Sequence, residues 1–202
     1  FRETAPVILE AGESLVLGNI TRPLRSGFGR YAENRLLDLL RFYYELDRSY
    51  FTQMRRYIKE ELGVKALVTG TAPWWAFLGD IAAQSEMDFI DSHYYWDHPW
   101  WPAVPSWSPR GWVINNTPQI NSLDRLCRLA AMAVEGKPFT LSEYNQSFPN
   151  RYALEAPLLI AAFAAFQDWD AVYLFDYAGD YEEFSNKYTT SFFAFCGNPV
   201  KT

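Results

Sequence analysis

From Tyr31 to Leu62 apolar side chains return at every third or fourth position: Leu36, Leu40, Tyr43, Leu46, Tyr50, Met54 and Tyr57. That spacing draws one stripe along a helix, and it predicts a long helix over 31–62 that Gly63 brings to a stop. Beyond Gly63 the pattern changes. Short apolar runs ending in polar residues alternate with stretches of helical spacing. The runs are "VKALVTGT" (64–71), "DFIDSHYYW" (88–96), "KPFTLSEYN" (137–145) and "DAVYLFDYAG" (170–179). The helical stretches cover 72–87, 122–136 and 151–169. Ser122 is placed to cap the second and Gly136 to end it, and Pro157 predicts a kink or restart in the third. The order is therefore helix, then β-α-β-α-β-α-β. Strands alternating with helices at this spacing predict an α/β fold with a parallel sheet and right-handed crossovers. Ahead of it, "PVILEAGESLVLGNI" (6–20) reads as two short strands around "EAGES", and "TRPLRSGFG" then breaks the regularity. The chain divides into a hairpin-like segment over 1–30 and an α/β body over 31–202.

Composition and charge sharpen the picture. At 49% hydrophobic residues, 202 residues can bury a sizeable core. A net charge of −6 with no Lys/Arg cluster argues against a nucleic-acid surface. The longest apolar run, "APLLIAAFAAF" (156–166), falls short of the roughly 20 residues that span a bilayer, so no membrane partner is expected. Two histidines and no His/Cys cluster leave little to hold a metal, and no glycine-rich strand-to-helix turn offers a phosphate site. No cofactor is expected. Cys127 falls on an apolar helical face and reads as a small buried hydrophobe; a disulfide with Cys196 is left open. The unusual figure is 18% aromatic, with eight Trp. Many of these rings lie outside periodic segments, which points to a binding surface as well as a core.

In parallel α/β folds, chemistry collects at the carboxyl ends of strands. The first run ends in Thr69, Gly70 and Thr71, the second in His93, Tyr94, Tyr95 and Trp96, the third in Glu143, Tyr144 and Asn145, and the fourth in Asp176 and Tyr177. Adjacent strands would gather these ends into one cleft. Alternation puts His93 and Tyr95 on one face. An imidazole and a phenol beside a carboxylate hold it ionised and oriented, which is how a carboxylate nucleophile is kept ready, so Glu143, His93 and Tyr95 are the candidate catalytic set. Past the second run, "WDHPWWPAVPSWSPRGW" places Trp96, Trp100, Trp101, Trp107 and Trp112 within 17 residues. Proline-stiffened loops that present indoles suit the stacking of a sugar ring; Trp74 and Trp75 would extend that platform. Trp96, Trp100, Trp101, Asn145, Asp176 and Tyr177 are the candidate substrate-binding residues. The other reading of the tryptophan loop is a satellite of the core.

Taken together, "SHYYW", "TLSEYN" and "YLFDYAG" resemble the cellulase-like side of the clan of retaining (β/α)8-barrel glycoside hydrolases. The resemblance covers about residues 30–200 and rests on the order and spacing of short motifs. It implies that "SHYYW" ends strand six, with His93 and Tyr95 as its His-x-Tyr element, and that Glu143 at the end of strand seven is the nucleophile. Strand eight would offer Phe175 or Tyr177 to the subsite next to the cut, although the family's usual Trp is absent there. "LGVKALVTGT" becomes strand five. The family's acid/base Glu, which follows Asn at the end of strand four, has no counterpart here: Glu33-Asn34 has the wrong order and opens the long helix. Asp91, Asp97 and Asp176 could bind sugar hydroxyls, and none is assigned as the acid. A full barrel of this kind takes about 250 residues, and four strands are visible. The fold expected is thus a partial TIM barrel, a half barrel of about four parallel strands, belonging to a larger protein and inactive or nearly so alone. An extracellular or periplasmic setting is implied by the resemblance only. Exposed half-barrel edges predict a homo-oligomer. Two rival readings stand beside the enzyme: a non-catalytic carbohydrate-binding domain with an aromatic cleft, and a structural domain with an aromatic core and no ligand.

Overall fold

The computed structural model describes residues 9–72, 78–108, 110–179, 191–196 and 198. The described body is mixed α/β, with helices around a three-stranded parallel sheet. The long amphipathic pattern becomes α1 (Glu33–Arg56), which runs on into a π-helical turn over Tyr57–Glu61. Glu33 in its first turn and Arg55 and Arg56 in its last oppose the helix dipole favourably. Gly63, at φ 68°, ends it, as glycine can at little steric cost. Three ion pairs pin α1, the most exposed of them Arg48 with Glu86 at 2.7 Å. Arg35 donates to both oxygens of Glu13, at 2.5 and 2.7 Å, and Arg55 donates twice to Asp88 Oδ1, at 3.0 and 2.6 Å. Much of the predicted apolar stripe is not covered by described residues: Leu40, Leu46, Tyr50, Met54 and Tyr57 are exposed.

The sheet consists of β1 (Ile90–Trp96), β2 (Phe139–Gln146) and β3 (Ala171–Leu174), side by side in that order. A fourth strand over 64–71 does not form. Val68 does accept from the Asp88 backbone N–H at 2.9 Å, but its own N–H donates to Asp88 Oδ2, and Thr69 Oγ1 donates to the Phe89 carbonyl. Side-chain bonds thus take the place of a backbone ladder at the entry to β1. No hairpin forms over 9–20 either. Asn19 accepts from the Ser14 N–H at 2.7 Å and donates to the Gly12 carbonyl at 2.9 Å, while Glu13 accepts from the Thr21 N–H. These local bonds make turns rather than paired strands; residues 6–8 of the expected hairpin lie outside the described residues.

Helix α2 covers Leu78–Gln84 of the stretch predicted over 72–87, of which residues 73–77 lie outside the described residues. Helix α3 is Asp124–Ala130. Ser122 does not cap it, because Ser122 belongs to a 3-10 turn over Gln119–Ser122. The free N–H groups of Gln119 and Ile120 are taken instead by Glu155 Oε2, at 2.6 and 3.1 Å, from the start of the next helix. That helix, α4 (Glu155–Gln167), begins two residues before Pro157. A proline in the first turn forfeits no intrahelical bond, so the expected kink has no cause. Asp168, left-handed at φ 55°, closes it.

The core lies between the sheet and α3 and α4. Ile90, Tyr94 and Trp96 from β1 and Phe139, Leu141 and Tyr144 from β2 meet Leu126, Leu129, Met132, Ala156 and Ile160. The leucine, isoleucine, phenylalanine and methionine side chains among these each contribute about 1.5–3 kcal/mol on leaving water. Tyr144 is fully buried, and its hydroxyl is satisfied by Gln119 Oε1 at 2.9 Å and the Ala156 carbonyl at 3.1 Å. Leu126 and Leu129 take the inward face of α3, which leaves Cys127 exposed, contrary to the expectation that it is buried. Cys196 is buried, and the two cysteines form no disulfide with each other.

Candidate functional site

The face of the sheet away from α3 and α4 is polar, and a β-bulge makes it so. Ser92 pairs with Leu141 and His93 pairs with Glu143, so β2 carries one extra residue, Ser142, opposite that step of β1. In an unbroken strand, Leu141 and Glu143 would share a face. The bulge resets the alternation, as an extra residue must. Leu141 and Tyr144 both enter the core, while Thr140, Ser142 and Glu143 all hydrogen-bond on the other side.

There Glu143 Oε2 accepts from the Tyr95 hydroxyl at 2.5 Å and lies 3.4 Å from His93 Nδ1. Burial, then the hydrogen bond and charge of Glu143, push the Tyr95 phenol far above its ordinary range, so Tyr95 stays a proton donor. Beneath them, Asp91 collects three donors: Thr140 Oγ1 at 2.5 Å and the Ser142 N–H at 3.1 Å on Oδ1, and the Ser142 hydroxyl at 2.6 Å on Oδ2. Ser142 Oγ is also 2.9 Å from His93 Nε2. Of the two Glu143 oxygens, Oε1 has no hydrogen-bond partner among the described residues, and the side chain is one-third exposed.

Glu143 opens into a cleft of about 350 Å³ at the carboxyl end of the sheet. Its walls are rings: Tyr95, Trp107, Phe175, Phe192 and Phe193, with His98 among them. Phe193 stacks on Tyr95 at 4.5 Å, and His98 meets the Trp107 indole edge-on at 5.5 Å. His98 Nδ1 donates to the Pro99 carbonyl at 2.8 Å, which fixes that ring. Asp176 is the other carboxylate lining the cleft among the described residues.

The loop after β1 is built on Asp97, which sits at φ 51° and is buried. Its carboxylate accepts from the backbone N–H groups of Asn115, Asn116 and Thr117 and from the side-chain amides of Asn115 and Asn150. With so many donors Asp97 is a structural anchor, and it is not free for a sugar hydroxyl. The tryptophans divide accordingly. Trp96 points away from the cleft into the core, 6% exposed, its indole donating to the Thr117 carbonyl at 2.8 Å. Trp100 is half-exposed and exchanges backbone bonds with Val113, outside the cleft lining. Trp101 supports Trp107 from behind, at 5.3 Å, and donates to the Ser108 carbonyl. Trp107 is the indole that reaches the cleft. Trp74 and Trp75 lie outside the described residues.

Asn145, expected to touch substrate, is buried; its amide donates to the carbonyls of Phe175 and Phe193, the latter at 2.6 Å, and so ties β2 to the cleft walls. Tyr177 is half-exposed and packs on Phe195 at 5.2 Å, outside the lining, whereas Phe175 takes the strand-end position. Glu33 is exposed at the start of α1 and does not line the cleft. Sequence reasoning missed His98, Phe192 and Phe193 as lining residues. The two phenylalanines fall in the aperiodic tail, where only the adjacent aromatic pair stands out. Among the described residues there is no group of three or more His, Cys, Asp or Glu side chains that could hold a metal ion, and no helix is long and apolar enough to cross a membrane.

No protein-family model matches the chain, and no curated protein or solved structure matches it. What the fold and site define is a parallel α/β sheet with a one-third-exposed, hydrogen-bonded carboxylate at the carboxyl end of its central strand, facing an aromatic cleft.

Proposed function

We propose that the protein is a retaining glycoside hydrolase acting on β-linked oligo- or polysaccharide, its sheet forming part of a (β/α)8 barrel and Glu143 serving as nucleophile. The observation that carries this reading is the pairing of one Glu143 oxygen with Tyr95, at 2.5 Å, while the carboxylate itself lines a cleft walled by aromatic rings. Tyr95 orients the carboxylate and leaves Oε1 as the attacking atom. In such a reaction Oε1 bonds to the anomeric carbon as the bond to the leaving oxygen breaks, and a second carboxyl group about 5–5.5 Å away gives that oxygen its proton. Water then releases the sugar and restores Glu143. Trp107 and Phe175 suit the apolar faces of a sugar ring. The acid/base is given no residue.

A test that needs no acid/base follows from this. 2-Deoxy-2-fluoro glycosyl fluorides carry a leaving group that departs without a proton, and the 2-fluorine slows release of the glycosyl-enzyme. Incubated with the gluco, manno and xylo compounds, the chain is expected to gain one sugar on the peptide that holds Glu143, by mass spectrometry, and Glu143→Gln to gain none. A label on a different residue overturns the assignment of Glu143. Saturable oligosaccharide binding with no label from any of the three compounds replaces the enzyme with a carbohydrate-binding domain.

A further inference from the structure

The groups beneath Glu143 are ordered by which of them can donate. Asp91 Oδ2 only accepts, so the Ser142 hydroxyl, 2.6 Å away, spends its one proton there. The same hydroxyl lies 2.9 Å from His93 Nε2 and can take part in that contact only as acceptor. His93 must therefore carry a proton on Nε2, which also lies 3.6 Å from Asp91 Oδ2, and in the neutral ring the bare nitrogen is Nδ1, the atom that faces Glu143 Oε2 at 3.4 Å. Asp91 is itself fixed from two sides, since the Ser142 N–H and the Thr140 hydroxyl both end on Oδ1. Neither Asp91 nor Ser142 lines the cleft.

We propose that Asp91 and Ser142 are positioning residues that hold the His93 imidazole in its Nε2–H tautomer and aim Nδ1 at the nucleophile. The role of the tautomer rests on the glycosidase reading above; the hydrogen-bond order does not. The β-bulge at Ser142 is what makes the arrangement possible, because it lets adjacent side chains, Ser142 and Glu143, reach opposite nitrogens of one ring. In the neutral ring Nδ1 has no proton, which leaves Oε2 to Tyr95 alone.

The geometry gives an isosteric way to invert the order. In Asp91→Asn the amide oxygen must take the Oδ1 place, where two donors converge, so the NH2 group falls opposite Ser142 Oγ. The hydroxyl then accepts from the amide and turns its proton toward His93 Nε2. His93 has to answer with a bare Nε2 and a proton on Nδ1, donating to Glu143.

The chain has two histidines, so nitrogen-15 NMR of the imidazoles can be assigned with single His93 and His98 variants. His98, whose Nδ1–H donates to a carbonyl, serves as an internal reference of the opposite tautomer. At a pH where both rings are neutral, His93 is expected to show Nε2–H in the native chain, Nδ1–H in Asp91→Asn, and an averaged mixture in Ser142→Ala; Ser142→Thr, which keeps the hydroxyl, is expected to restore Nε2–H. A His93 that stays Nε2–H in Asp91→Asn, or in Ser142→Ala if the first variant does not fold, overturns the proposal. In the trapping assay Asp91→Asn is expected to label Glu143 about tenfold more slowly or worse, the wrong-tautomer effect seen in other catalytic histidines. Absence of label in the native chain with the tautomers as expected sinks the glycosidase reading and leaves the positioning pair standing.

Discussion

Tyr95 holds Glu143 with a single hydrogen bond at 2.5 Å, and its ring is supported separately, by Phe193 at 4.5 Å and Phe175 at 6.2 Å. Tyr95→Phe therefore removes the donor and keeps the packing. A hydrogen bond to a charged group contributes about 1.5–3 kcal/mol, so the rate of trapping at Glu143 is expected to fall roughly ten- to a hundredfold with the melting temperature little changed. Because burial and Glu143 keep the phenol protonated far above its ordinary range, no limb of the native pH–rate profile should come from Tyr95; a basic limb that vanishes in Tyr95→Phe would contradict this. The pair itself was legible in the sequence, since a carboxylate and a His-x-Tyr element at two strand exits need only parallel neighbours to meet. Trp96 was misjudged on information the sequence already held. Alternation that puts His93 and Tyr95 on one face puts Trp96 on the other, and there it is core. Phe192 and Phe193 were beyond reach, because a tail without a period does not say which cleft it walls.

At the scale of elements, α1 is fastened to the body largely through charge. Hydrogen bonds from Arg35 and from the Glu10 N–H hold Glu13 well below its ordinary 4.5, at about 2. Burial alone would raise Asp88, but Arg55, the Val68 N–H and Lys59 outweigh it and bring it from 3.8 to about 2. A depressed folded-state value means stability that is present in full above the ordinary carboxyl range and is lost as pH falls through the folded value. Between about pH 4.5 and 2 both clamps should therefore loosen together. Helical circular dichroism is expected to fall through that window, and Asp88→Asn should move the onset of the loss without abolishing it, since Glu13 remains. A flat signal down to pH 2 would count against the clamps. The same side chains explain which elements the pattern mispredicted. The runs at 64–71 and 9–20 have strand-like apolar content, but Asp88 and Thr69 in one case and Glu13 and Asn19 in the other occupy the backbone groups that a ladder would use. Hydrophobic periodicity records where a side chain points and is silent about a distant carboxylate that captures an N–H. The bulge at Ser142 is hidden for a similar reason, since "TLSEY" reads as plain alternation until Leu141 and Tyr144 are seen in one core.

At the scale of the molecule, the sheet order leaves β1 and β3 as its two edges among the described residues, and helix surfaces remain that no described residue covers. Helix α4 is the clearest case. No charged residue lies between Glu155 and Asp168, yet Leu158 is 63% and Phe166 83% exposed on that helix. A helix that is apolar all round belongs inside something, and contiguous apolar surface of this kind marks contact with another chain. A second copy brings the same uncharged face, whereas much of the remaining surface of a chain with net charge −6 repels its like. Self-association through α4 is therefore expected, with α4 faces meeting each other and the cleft, at the carboxyl end of the strands, left open. Sedimentation velocity over a range of concentrations should show mass rising with concentration. Leu158→Glu with Phe166→Glu should return the chain to a single monomeric boundary while Glu143 trapping continues at an unchanged rate. A native chain that sediments as a monomer throughout, or a double variant that associates as strongly as the native one, would remove α4 as the contact.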